Sequence, residues 1–372
     1  VLVMVASAFI IERICRTIGM GELKSKTARY LFMISPLVLF PQMIFSQYDI
    51  FTVFFILLGY YSYLNKHNKR FVLFFAIAIT FKYHALLYFI ALLVLREKRI
   101  LRILLNTILV ILPTAVMILI YYPSDAFRKS VLNFGALTYV DTGVNLGGLR
   151  PINIFLLVLI LLFVFAYIKK PEDEQSEIQW GLFLLNGVSF AFFGFVYFHP
   201  QWIIICAPFI VISVIRCRYS KMLYIVQNIL IIALYFISVQ SWSVNIDQQM
   251  MAYGVLKKFI PGQWTTVMAD YFSYDNQVYL FTAIFAILLL FVVFSHPKFM
   301  QKDITVFEPD TMLNARIVFV VAFLAWCIPA FLCLKNTVDA SKTAEASYTV
   351  SIETCGETAD IGTLINNVSD SI

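Results

Sequence analysis

The sequence predicts an all-α protein: a polytopic transmembrane helical bundle of about ten spans plus one re-entrant helix hairpin. Three observations carry this. Of 372 residues, 61% are hydrophobic and 13% are charged, whereas an average soluble domain is about 25% charged. The apolar residues form helix-length runs rather than the alternating ten-residue strands of an outer-membrane barrel. Short basic clusters separate these runs, as they do in cytoplasmic loops of membrane proteins. The composition excludes a soluble globular domain, a disordered chain, a collagen and a disulfide-stapled secreted scaffold. The net charge of +6 follows from the loop bias, so no nucleic-acid partner is expected.

The apolar runs lie at roughly 1–11, 30–46, 50–64, 101–121, 151–168, 179–197, 202–215, 222–239, 278–294 and 317–334. The chain opens at Val1 inside an apolar run, without a signal-peptide n-region; a GTG start translated literally would give this Val, and so would a missing N-terminal segment, which is the expectation here. Residues 12–29, which carry Arg13, Arg16, Lys24, Lys26 and Arg29, read as a basic loop. Residues 1–334 form the membrane domain. Residues 335–372 form a polar extracytoplasmic tail, acidic and rich in Ser and Thr, with a strand-like stretch at 348–355. The six cysteines form no CxxC pair and point to neither a metal site nor a disulfide framework.

The segment 71–95 departs from the pattern, because Lys82-Tyr83-His84 interrupts a 25-residue apolar stretch. As one helix it crosses once. As two short helices it enters and returns on the same side. A hairpin puts 20 of the 28 Lys and Arg residues inside and 7 outside, with Lys82 in the membrane; a single span gives 15 and 12. The positive-inside rule favours the hairpin. With it, loop 122–150, loop 240–277 and the tail face outward, as do the turns Ser46–Ile50 and His199–Trp202. The inside loops are too short for a nucleotide-binding domain, and no P-loop or GxGxxG occurs.

An ionisable group at membrane depth costs about 2.5–3.5 kcal/mol, so it usually has a partner or a job. Asp49, after Gln47 and Tyr48, is suited to contact a cation, a sugar hydroxyl or the N-terminus of the following helix; a plain N-cap is the alternative. Lys82, with His84 beside it at the hairpin tip, is suited to bind an anionic phosphate; a snorkelling lysine is the alternative. His199, with Pro200, Gln201 and Trp202, can donate to a phosphate or sugar oxygen or serve as an interfacial anchor. Arg150 can add a mobile cation or simply precede a helix. Loop 240–277 mixes aromatic and acidic residues in a way that suits carbohydrate. A divalent cation is the one cofactor left open, with no metal-ligating cluster to hold it.

The succession Ser46-Gln47-Tyr48-Asp49-Ile50-Phe51, an apolar helix, the basic Lys66–Arg70 turn, the hairpin with Lys82 and the Arg96–Arg99 cluster resembles the polytopic GT-C glycosyltransferases. Within that superfamily it is most similar to bacterial polyprenol-phosphate mannosyl- and glucosyltransferases and to dolichol-dependent glucosyltransferases. In these a Gly-Gln-(Phe/Tyr)-Asp-like turn precedes a pair of short helices carrying a lysine; Ser46 stands where glycine is usual. The His199–Trp202 turn looks like the histidine-containing outer motif of some members. The better likeness covers residues 30–100.

The resemblance implies a multi-pass cell-membrane enzyme that moves a hexose from a polyprenyl-phosphate carrier to a lipid-linked, polysaccharide or protein acceptor at the outer face. Its partners would be the bilayer, the lipid-linked donor and a glycan or lipid acceptor. Lys82 and His199, with Arg150 as an outsider, would stabilise charge on the leaving phosphate. Gln47 and Asp49 would position sugar or lysine, with Asp49 the best acid in this chain for the base role. The family's catalytic acid usually lies in the first outer loop, upstream of the segment present here. Competing classes are a lipid-linked glycan transporter or flippase, with Lys82 and Asp49 as a buried ion pair, and a non-catalytic membrane subunit.

Overall fold

The computed structural model describes residues 1–39, 41–42, 47–132, 143–144, 152–196, 198–241 and 277–300. Among them the chain is all-α. In order the helices are α1 (Leu2–Thr17), α2 (Glu22–Ile34), α3 (Pro36–Leu39), α4 (Asp49–Leu64), α5 (Asn68–Phe81), α6 (Ala85–Arg96), α7 (Ile100–Tyr121) and α8 (Asp125–Phe127). Then come α9 (Ile154–Ile168), α10 (Glu174–Phe195), α11 (Ala207–Arg216), α12 (Ser220–Ser241) and α13 (Gln277–Phe294). A 3-10 helix, Pro200–Ile205, precedes α11 with Pro200 in its first turn. One antiparallel pair of two-residue strands, Gly143–Val144 with Ile152–Asn153, leads into α9.

Local chemistry sets the ends. α1 closes in a Schellman motif: Gly19 (φ 84°) donates to Arg16 O, and Met20 donates to Cys15 O. α4 closes in the same way, with Lys66 (φ 59°) in the place glycine usually takes and His67 donating to Ser62 O. The carboxylate of Asp173 caps α10 by accepting from the Ser176 amide, with Glu174 and Glu177 in the first turn. Asn153 caps α9 by accepting from the Leu156 amide.

The segment 71–95 is a helical hairpin. α5 stops at Phe81, Lys82 is extended (φ −148°, ψ 120°), and α6 starts at Ala85. Phe71 and Phe89 then stack with ring centroids 4.8 Å apart, and Phe75 lies 5.5 Å from Phe89. In one continuous helix residues 71 and 89 would be about 27 Å apart. The reversal brings the far ends of both helices to one end of the bundle. There Lys66 meets Glu174 at 3.4 Å, and Arg96 meets Glu177 at 2.6 Å. Lys98 donates to the last carbonyls of α6 and α9, those of Val94 (2.8 Å) and Ala166 (2.7 Å), and burial pushes its amine down to about 8.

Two expectations change. The basic residues assigned to a 12–29 loop are helical: Arg13 and Arg16 belong to α1, and Lys24, Lys26 and Arg29 to α2. Glu12 is why. Its two oxygens accept from Arg16 and Arg29, each at 2.6 Å, which lets charged helix faces pack together. The number of span-length helices is also lower than ten. Among the described residues two are long and apolar enough to cross a membrane, Ile100–Tyr121 and Glu174–Phe195. The apolar helices α4, α6, α9 and α11 are shorter, the 30–46 run stops at Ser35-Pro36, and the 202–215 run begins as a 3-10 helix. The 317–334 run, the 335–372 tail and most of loop 240–277 lie outside the described residues.

The hairpin is locked to α4 at Gly59, where an added Cβ would lie 2.5 Å from the Phe75 ring. Phe75 is itself held between Phe71 (5.2 Å) and Phe89 (5.5 Å) and has little room to move. Gly59→Ala should therefore destabilise the protein by about 1–3 kcal/mol, read as a lower thermal midpoint, despite the better helix propensity of alanine.

Candidate functional site

The opposite end of the bundle gathers most of the residues singled out by the sequence. Asp49 is the first residue of α4, and its N-cap neighbour Tyr48 makes no side-chain cap bond. The N-cap reading of Asp49 therefore does not hold. Its carboxylate is completely buried and faces Lys82 across the hairpin tip, with Nζ 3.2 Å from Oδ1. The extended backbone at Lys82 throws its side chain out of the α5 axis toward α4. A lysine 17% exposed and ion-paired in this way is not a snorkelling surface residue.

Aromatic faces surround the ammonium. Lys82 Nζ lies 4.6 Å from the Trp202 ring centroid and 5.4 Å from that of Tyr48, both within cation–π range. His199 packs edge-on against Trp202 at 5.0 Å. Burial, and next the charge of Lys82, hold its imidazole below the ordinary histidine value. His84 is half-buried, stacks on Phe192 at 5.0 Å and leaves Nε2 without a hydrogen-bond partner. The structure thus unites Asp49, Tyr48, Lys82, His199 and Trp202, with His84 beside them. Gln47 and Gln201 are half-buried, and neither side chain bonds Asp49 or Lys82. Ser46 and Arg150 lie outside the described residues.

One group here is not singled out by the sequence: Thr52, one turn beyond Asp49, has a buried hydroxyl without a hydrogen-bond partner. The side-chain oxygen of Gln42, from the polar stretch that leads to Gln47 and Asp49, is likewise buried and unpartnered. The i, i+3 spacing from Asp49 was the available signal for Thr52. Asp49 is the only polar partner of Lys82 among the described residues. The ammonium keeps N–H donors for an incoming anion, while the aromatic walls suit the apolar face of a sugar or a lipid. No family model, curated protein or solved structure matches the chain.

Removing Lys82 alone strands a buried carboxylate. Lys82→Met should cost about 3 kcal/mol, and adding Asp49→Asn should recover part of that loss; additive effects in a double-mutant cycle would contradict the pairing. The folded state favours neutral His199, so its contribution to stability is present above about pH 6.5 and is lost as pH falls below that value. His199→Gln should flatten the acid limb of the stability profile relative to wild type; parallel profiles would exclude the effect.

Proposed function

We propose that this chain is an integral-membrane glycosyltransferase of GT-C type, moving a hexose from a polyprenyl-phosphate carrier to a lipid-linked, polysaccharide or protein acceptor. The observation that carries the reading is the Lys82–Asp49 pair at the tip of a helical hairpin, walled by Trp202, Tyr48 and His199.

The membrane setting is supported by α7. Its 22 residues span about 33 Å, and its most apolar window is only 11% buried in the protein. Leu101, Ile108, Leu119 and Ile120 are all more than 60% exposed. An apolar helix this bare demands lipid or a large partner surface. α9 shows the same exposure at Ile160, Leu161 and Ile168. Shorter helices such as α4, α6 and α11 are then embedded by packing within the bundle. The basic end faces the cytoplasm, and the Lys82 end faces outward. The α5–α6 hairpin is re-entrant, with its non-helical tip lining a protein chamber instead of facing lipid.

In the reaction, the bond between the anomeric carbon and the carrier phosphate breaks, its electron pair leaving with the phosphate, as an acceptor hydroxyl attacks and gives its proton to a carboxylate base, which the GT-C resemblance places in an outer loop. Negative charge grows on the leaving phosphate. Lys82 supplies a preorganised cation where that charge appears, in a site screened from water. His199, neutral at pH 7, can donate a hydrogen bond to the same phosphate. Trp202 and Tyr48 offer faces for the sugar or the first isoprene units. Asp49 is completely buried behind the ammonium, and its part is to hold Lys82 in place. A nucleotide fold is unnecessary, because the lipid phosphate is the activating group.

The buried ion pair equally favours a second reading, a transporter of the same lipid-linked sugar. Proteoliposomes supplied with polyprenyl-phosphate hexoses separate the two. The enzyme releases polyprenyl phosphate and glycosylates an acceptor; the transporter moves intact donor across the bilayer. Lys82→Ala should lower transfer by about 10²–10³-fold. Unchanged turnover in Lys82→Ala would remove the lysine from the mechanism. Donor movement without cleavage would favour transport.

A further inference from the structure

The basic end of the bundle holds a second buried constellation, separate from the Lys82 site. Arg216, the last residue of α11, is 0% exposed, and its Nε, Nη1 and Nη2 have no hydrogen-bond partner. It interacts electrostatically with Tyr60 and Cys15, both fully buried. The Tyr60 hydroxyl is also unpartnered, and the Tyr63 ring stacks on Tyr60 with centroids 6.3 Å apart, its hydroxyl turned to Glu177. Arg96 continues the group. Its guanidinium lies 3.6 Å from the Tyr63 ring centroid and its Nε reaches Glu177 at 2.6 Å, yet its Nη1 is unpartnered. Tyr60 feels the charges of Arg216, Glu177 and Arg96 together.

The imbalance is one-sided. Every unpartnered atom here is an N–H or O–H donor. Arg96 engages Glu177, and among the described residues no carboxylate pairs with Arg216. A fully buried guanidinium without a counter-charge costs several kcal/mol, and what would offset that cost is an acceptor carrying negative charge. A buried guanidinium on α11 that acts electrostatically on a buried tyrosine of α4, with a second guanidinium on α6, suits an oxyanion, which a planar fork binds through two parallel bonds. Lys82 and Asp49 take no part, so this site stands or falls independently of the glycosyltransferase reading.

We infer that Arg216, Tyr60 and Arg96 form a buried anion site at the basic end of the bundle, suited to a phosphate group that is either free or the headgroup of an anionic lipid.

Thermal unfolding of the full chain tests the inference. The protein is purified in a neutral, phosphate-free detergent and titrated with inorganic phosphate against chloride of equal ionic strength. It is also reconstituted with phosphatidylglycerol or with phosphatidylcholine. Wild type should gain a saturable rise in midpoint from inorganic phosphate if the source is soluble, or from phosphatidylglycerol alone if the source is a headgroup. Arg216→Met should lose that rise, and without phosphate it should melt no lower than wild type, because an unpaired charge has been removed. Arg216→Lys keeps the charge but loses the fork and should weaken half-saturation by about tenfold; it serves if Arg216→Met does not fold. No response of wild type to either phosphate source, or an equal response in wild type and the Arg216 variants, would overturn the inference.

Discussion

A carboxylate taken wholly out of water has to be matched, and the matching of Asp49 by Lys82 governs one end of this molecule. The partner cannot come from α4 itself. It comes from the point where the chain stops being helical, between Phe81 and Ala85, so the break in the 71–95 stretch is where the ion pair is made. A continuous helix through 71–95 would carry Lys82 with its side chain tied to the helix surface. It would also separate Phe71 from Phe89, which the structure stacks. Hairpin, aromatic packing and ion pair are thus one arrangement seen at three levels, each failing without the others.

The two ends differ chemically, and the difference suggests a division of labour. At the Lys82 end a single cation is ion-paired with one carboxylate and lies beside the aromatic faces of Trp202 and Tyr48. At the other end several cations tie helix termini together. Arg96 reaches α10 through Glu177, Lys98 caps the last carbonyls of α6 and α9, and Arg29 holds α1 to α2 through Glu12. These contacts stiffen the end on which the hairpin stands. A rigid base lets the hairpin tip hold an ammonium in a fixed place, which the proposed stabilisation of a leaving phosphate would need.

Much of the helical framework was legible in the sequence, because apolar runs and their breaks are local signals. Lys82-Tyr83-His84 inside an apolar stretch announced the break between α5 and α6, while the side of the membrane on which the pair would sit belongs to the proposed function. The site was legible in part: Asp49, Lys82 and the His199–Trp202 turn stood out as polar residues beside apolar helices. Which of them touch was not, since the 3.2 Å contact depends on how α4 packs against α5. Residues 12–29 were misread as a loop because their charges look like flanking cations until Glu12 is seen to absorb two of them. Arg216, one of the 20 cations that the hairpin count puts inside, closes α11 and is buried for a reason equally hidden in the sequence. Its burial follows from helices distant in sequence closing over it.

The most direct measurement is the sidedness of the hairpin in sealed membranes, by impermeant labelling of single cysteines in a background with the native cysteines replaced. Lys69→Cys and Arg99→Cys mark the two feet of the hairpin, and Tyr83→Cys marks its tip; all three positions are exposed. Positions 69 and 99 should be labelled from the same face and 83 from the other, on the side to which the Lys82 site is proposed to open. Labelling of 69 and 99 from opposite faces would mean that the segment crosses the bilayer once. Lys82 and Asp49 could not then share an outward-facing site.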